Sequence, residues 1–185
     1  MRKSIFYILV CIMASTPVLC AGDSFFEKNH FWANAGLGFY AMSGFDHFDG
    51  FSSSVSLHYQ NTPGSVISLG YSDYNEISFD FPSEYCRDFS LLYGYLYRIK
   101  WFNFSASSGV AYTYGRYRTK LQNNTSVFSD RYDSKNFKTI GLPVRVNAFF
   151  SFTPYTAAGI EYGVNLNTEK IVQSVNLCLQ AGNLW

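Results

Sequence analysis

I-V-Q-S-V-N-L-C-L-Q-A-G-N-L-W, residues 171–185, alternates between two chemistries. Val175, Leu177, Leu179 and Ala181 take every second place, and Asn176, Cys178, Gln180 and Gly182 take the others. A period of two means a β-strand with one apolar and one polar face. Trp185 falls in register with the apolar face. Trp settles well at a membrane–water interface, and a soluble strand has no evident need of one there. The stretch is therefore expected to be a membrane-facing strand running to Trp185.

The same alternation recurs upstream. On 31–41, Phe31, Ala33, Ala35, Leu37, Phe39 and Ala41 oppose Trp32, Asn34, Gly36, Gly38 and Tyr40. On 51–60, Phe51, Ser53, Val55, Leu57 and Tyr59 oppose Ser52, Ser54, Ser56, His58 and Gln60. Further strands are expected over 65–75, 87–99, 102–118, 137–152 and 156–167, which makes eight. Leu92 and Leu96 interrupt the pattern on the fourth. Turn chemistry separates them at Asn61-Thr62-Pro63-Gly64, Lys100-Trp101 and Thr153-Pro154-Tyr155. Longer loops fall at 42–50, 76–85 and 119–135. With both termini on one side, the short turns share that side and the long loops share the other. Membrane barrels have this asymmetry. The strands also reach the roughly 9–11 residues that a tilted membrane strand needs.

Composition agrees. The chain has 185 residues, a formal charge of +1, 15% charged residues and 19% aromatics. That is one domain without the basic excess of a nucleic-acid partner. No run of about 20 apolar residues follows the N-terminus, so no helical span is expected. Residues 1–21 read as a cleaved signal peptide. Arg2 and Lys3 precede an apolar run, and small residues surround Ala21. Residues 22–185 are left as the barrel domain. The alternative, a lipidated Cys20, fits poorly after Pro17-Val18-Leu19. Cys86 and Cys178 then remain, and their different heights predict two free thiols.

Alternation does not say which face is inside, since a soluble lipocalin-like carrier would turn its apolar face inward. The polar face is mostly Gly, Ser, Asn and Thr, where a water-facing exterior would carry many Lys and Glu. Small polar side chains suit the filled interior of an eight-stranded barrel. The fold class expected is therefore an all-β, eight-stranded antiparallel up-and-down transmembrane β-barrel. Tyr59, Tyr97, Phe150 and Trp185 would anchor it at one membrane interface.

The short strands, signal peptide and C-terminal aromatic strand resemble small outer-membrane β-barrel proteins of the OmpA/OmpX type. G-L-P-V-R-V-N-A-F-F-S-F (141–152) and G-V-N-L-N-T-E-K (163–170), with the terminal strand, resemble uncharacterised outer-membrane proteins of Bacteroidota. The resemblance implies a multi-pass barrel in the bacterial outer membrane. It also implies contact with outer-membrane lipid and with barrel-assembly machinery that reads the C-terminal strand. It implies no activity and no cofactor, because such barrels host several roles.

Candidate chemistry is sparse. Glu76, Asp88, Arg98, Arg145 and Glu161 fall on the expected inner face, with Glu161 diagonal to Arg145. Buried charges of this kind pair up and plug a lumen, and a small conductance path is the sharper alternative. His47 sits in F-D-H-F-D and is the one weak candidate for a general base. With Ser43, Ser53 or Ser126 it would suit a lipid A-modifying barrel enzyme. Phe79, Phe81, Phe128 and Tyr132 in the long loops are candidates for an interaction surface toward an extracellular protein or lipopolysaccharide. No zinc-ligand spacing or phosphate-binding loop is present. The favoured role is structural or interaction-based, through the external loops.

Overall fold

A computed structural model of the chain describes residues 30–42, 49–77, 83–123 and 131–184. The expected signal peptide lies outside them, as do His47, Ser43, Ser126, Phe79, Phe81, Phe128 and Trp185. Eight strands follow in order: β1 (His30–Met42), β2 (Gly50–Thr62), β3 (Ser65–Glu76), β4 (Tyr85–Ile99), β5 (Phe102–Asn123), β6 (Arg131–Thr153), β7 (Thr156–Asn167) and β8 (Val172–Gly182). Each pairs antiparallel with the next, and β8 pairs with β1 to close the barrel.

Closure fixes the tilt. The ladder from Ile99 on β4 runs through Phe102, Phe150, Ala158, Leu179, Ala35, Val55 and Tyr71. It returns to β4 at Phe89, ten residues along. With eight strands about 4.8 Å apart and a rise of about 3.4 Å per residue, that stagger tilts the strands by about 40°. The segment from Phe89 to Ile99 then spans about 26 Å along the barrel axis, the height of an outer-membrane apolar band.

The apolar face points outward. Leu37, Ile140, Leu177 and Leu179 are 72%, 70%, 72% and 69% exposed, while Ser52, Ser54, Ser56, Asn147 and Asn176 are buried inside. The interior is filled and the apolar face is outside, which does not favour the soluble carrier with an inward apolar face.

The mostly small and polar lumen also holds large apolar side chains at both ends. Trp32, Val66, Leu96, Phe149, Ala157, Cys178 and Leu184 form an apolar cluster at the end that carries the termini. Tyr40, Tyr74, Cys86, Phe137 and Val172 form another at the opposite end. Leu92 and Leu96, which break the sequence pattern, occupy ordinary inward positions. Large side chains are admitted because the barrel closes around them and removes them from water. Cys86 and Cys178 are buried free thiols in opposite clusters, with Cys86 the second residue of β4.

Element boundaries also differ. β8 stops at Gly182, whose φ of 145° leaves the extended region that other residues hold. The last pair with β1 is Trp32–Gly182. Asn183 N still donates to Phe31 O at 2.9 Å and Leu184 N to Pro154 O at 3.0 Å, which turns Leu184 into the lumen. The 119–135 loop is mostly strand, because β5 runs to Asn123 and β6 starts at Arg131. Asp133, Ser134, Lys135 and Asn136 are exposed in succession, so this part of β6 has no apolar alternation to read. Pro143 lacks an N–H, and the β5–β6 ladder skips Gly109 and Val110 opposite Leu142 and Pro143. Ser108 Oγ donates to Pro143 O at 2.9 Å beside that gap.

Candidate functional site

Between the two apolar clusters lies a polar tier built by alternate residues of β2, β3, β4, β5, β6, β7 and β8. Arg145 is its centre. Its Nη2 donates to Ser72 Oγ at 3.0 Å and Ser90 Oγ at 3.2 Å, and its Nη1 lies 3.8 Å from Glu161 Oε2. Asn176 Nδ2 donates to Glu161 Oε1 and to Ser54 Oγ, both at 3.4 Å, and Ser52 Oγ donates to Asn176 Oδ1 at 2.5 Å. Asn165 Nδ2 donates to Asp88 Oδ2 at 2.9 Å and to Thr113 Oγ1 at 2.8 Å. These charges are buried and held by neutral donors and acceptors, which is how a closed interior tolerates them.

The five predicted lumen charges thus separate. Asp88, Arg145 and Glu161 lie in this tier. Arg98 lies lower, its guanidinium 5.7 Å from the centroid of the Trp32 ring. Glu76 stands at the upper rim, where its carboxylate accepts from Glu84 N at 3.0 Å and pairs with Arg118. His58 hydrogen-bonds Ser56 Oγ at 2.8 Å and Ser68 Oγ at 2.7 Å, and its ring stacks on Trp32 at 5.2 Å. Both nitrogens are engaged by serines inside a closed lumen. Ser53 points to the outer face of β2, and His47, its proposed partner, lies outside the described residues. Among the described residues, no group of three or more His, Cys, Asp or Glu could hold a metal ion.

The anchoring candidates Tyr59, Tyr97 and Phe150 point outward near the short-turn end. Tyr132 lies in β6 opposite Leu121.

The end opposite the termini carries what sequence reasoning missed. β5 continues past its last β4 pair, Arg116–Tyr85, and β6 precedes its first β7 pair, Gly141–Asn167. A two-stranded hairpin therefore stands clear of the barrel. Its base is pinned by charge. Arg118 Nε lies 3.9 Å from Glu84, and Glu84 also accepts from Arg118 N at 2.6 Å. Lys170 Nζ lies 3.8 Å from Glu84 and 4.9 Å from the Tyr117 ring centroid. Lys135 Nζ and Tyr117 Oη both donate to Glu169 Oε2, at 3.2 and 3.1 Å. Those two bonds, from Lys135 first and then Tyr117, hold the Glu169 carboxyl below its ordinary pKa. The signal lay in composition: residues 115–139 carry Arg116, Arg118, Lys120, Arg131, Lys135 and Lys138 against only Asp130 and Asp133.

No family model and no curated protein sequence matches the chain. Solved structures do. Neisserial surface protein A (NspA) is similar with a TM-score of 0.61 at 15% identity, over 84% of this chain and 99% of that one. Ail, the attachment invasion locus protein of Yersinia pestis, in complex with the heparin analogue sucrose octasulfate, has a TM-score of 0.58 at 10% identity, over 84% and 98%. The N-terminal β-barrel domain of Pseudomonas aeruginosa OprF has a TM-score of 0.55 at 13% identity, over 82% and 96%. At such identities the likeness is one of fold: the chain is a closed eight-stranded transmembrane β-barrel of the kind found in these small outer-membrane proteins.

Proposed function

We propose that this protein is an outer-membrane barrel with a filled lumen, and that it acts by interaction through the β5–β6 hairpin above the membrane. The observation that carries this reading is the hairpin itself. Two strands continue beyond both neighbouring ladders and are braced at their base by Arg118, Glu76, Glu84, Lys135, Glu169 and Lys170. A braced ribbon loses little conformational freedom on binding, so more of its contact energy is available as affinity. Its excess of Arg and Lys favours an anionic extracellular partner. That Ail has been crystallised with a heparin analogue supports the same chemistry. Assembly through the C-terminal strand belongs to the same proposal. A lipid-modifying role for His47 gains no support from the tightly packed lumen.

The test replaces residues 117–135 with an Asn-Gly turn and measures sucrose octasulfate binding by surface plasmon resonance on protein in phosphatidylcholine nanodiscs. Binding to the intact chain, with loss of at least about tenfold in the shortened one, is expected if two or more charge contacts go. Equal binding by the two proteins, or none by either, overturns the hairpin reading. A heat-dependent gel shift retained by both confirms that the barrel is folded.

A further inference from the structure

The outer wall is not uniform around the barrel. Outside β4, β5 and β6, the next residue of the same parity above the last lipid-facing apolar residue is neutral or acidic: Asp49 after Phe51, Asp73 after Tyr71, Thr168 after Leu166 and Gln173 after Val175. On β4 the step from Phe89 leads to Arg87, and on β6 the step from Ile140 leads to Lys138. Between them, the step from Tyr112 on β5 leads to Tyr114 and then Arg116. The ladder sets Arg87 beside Tyr114 and Tyr114 beside Lys138. At about 4.8 Å per strand, the two cations stand on backbones about 10 Å apart. Arg87 and Arg116 both lie against the Tyr85 ring, at 5.4 and 5.6 Å from its centroid. Asp73 engages only Arg87, at 3.1 Å from Nε, and Asn136 Oδ1 accepts from Arg116 Nε at 3.1 Å. Arg87 also hydrogen-bonds the Tyr114 side chain, and Lys138 stands one strand further along the same rung.

Below Arg87, the lipid-facing wall is concave. Val55, Leu57, Leu69, Tyr71, Phe89, Leu91 and Val110 line an apolar groove there. Asp73 balances one of the three cations and leaves the cluster with a net positive charge at the top of the apolar band. The groups met at that height are lipid headgroups.

We propose that Arg87, Arg116 and Lys138 bind the phosphate groups of a phosphorylated lipid, with one of its acyl chains lying in the groove from Val110 down to Leu57. Arg forks match phosphate oxygens in pairs, and the Tyr114 hydroxyl is a further donor beside them. The occupant is a lipid and not a soluble polyanion, because the groove continues the cationic site into the apolar band. This proposal rests on the membrane reading above and concerns the root of the hairpin at the top of the apolar band; Arg116 and Lys138 stay in place when residues 117–135 are removed.

The experiment uses the full barrel in phosphatidylcholine nanodiscs doped with diphosphoryl lipid A, with retained lipid counted by native mass spectrometry. Each of Arg87→Gln, Arg116→Gln and Lys138→Gln is expected to lower retention about fivefold, and the triple variant on the order of a hundredfold, at about one charge contact each. Val110→Trp, which fills the groove and leaves every cation, is expected to weaken retention of the acylated lipid only. Retention by the triple variant equal to that of the parent overturns the proposal. So does equal competition by free inorganic phosphate or sucrose octasulfate, which would assign the cations to a soluble polyanion. If the membrane reading itself is wrong, no variant enters nanodiscs or shifts on heating, a result distinct from normal insertion with unaltered lipid retention.

Discussion

Arg145 is the residue on which the lumen depends. It holds Ser72 and Ser90 and faces Glu161 at 3.8 Å, with both side chains of the pair under a tenth exposed. Removing one charge of a buried pair strands the other, which costs about 3–5 kcal/mol, while removing both costs far less. Arg145→Met is therefore expected to lower barrel stability by that amount. Arg145→Met with Glu161→Met is expected to recover more than half of the loss. Urea unfolding from lipid vesicles measures both, and a double variant no better than the single one would show that the pair does not act as a unit. The closeness of this pair was legible from spacing, because Asn147 opposite Glu161 puts Arg145 one diagonal step away. The serine cradle across the lumen was not. It joins residues 55 and 73 positions apart, and only closure brings them together. Leu184 was illegible for a similar reason. Nothing local marks an apolar residue after a Gly as a lumen plug until Pro154 O and Phe31 O fix the backbone around it.

Elements were readable wherever lipid lies on one side and a packed lumen on the other, since that contrast writes the period of two. β7 spans the residues its alternation predicts, Thr156–Asn167. β5 and β6 overrun their predicted ends where the contrast disappears above the membrane. There, charge adds to the packing of Tyr117 against Phe137 at the hairpin base, so its docking on the β7–β8 turn depends on pH. Lys135 and Tyr117 depress the folded pKa of the Glu169 carboxyl. A depressed carboxyl contributes stability above its unfolded pKa, and that contribution is lost as pH falls through the folded value. Acidification is expected to free the base of the hairpin first. Carboxyl NMR of Glu169 should titrate below an ordinary Glu, and Lys135→Gln should move that midpoint up. A midpoint indifferent to Lys135 would mean that the contact does not persist in solution. Amide exchange across 117–123 should quicken over the same acid range.

At the scale of the whole molecule, the strongest claim is which face meets lipid, and a single position can decide it. Leu177 lies mid-strand on β8 between Leu37 and Ile160, is 72% exposed, and sits well inside the apolar band. In water, replacing so exposed a Leu by Arg changes stability by less than about 0.5 kcal/mol, because surface substitutions with no buried partner are nearly neutral. In a bilayer the same change places a charge near the midplane, at a cost of about 2–4 kcal/mol. The two outcomes differ by several-fold in free energy, so the measurement does not depend on an exact coefficient. Thr168→Arg, in the turn after β7 and clear of the band, is the matched control and is expected to cost about 0–1 kcal/mol. Reversible urea unfolding into phosphatidylcholine vesicles reads both. Leu177→Arg falling within the control's range would turn the outward apolar wall from a lipid-facing surface into a protein-covered one. A loss of the expected size at Leu177 alone fixes the barrel across the membrane, with the hairpin and the Arg87–Lys138 ledge on the side opposite the termini.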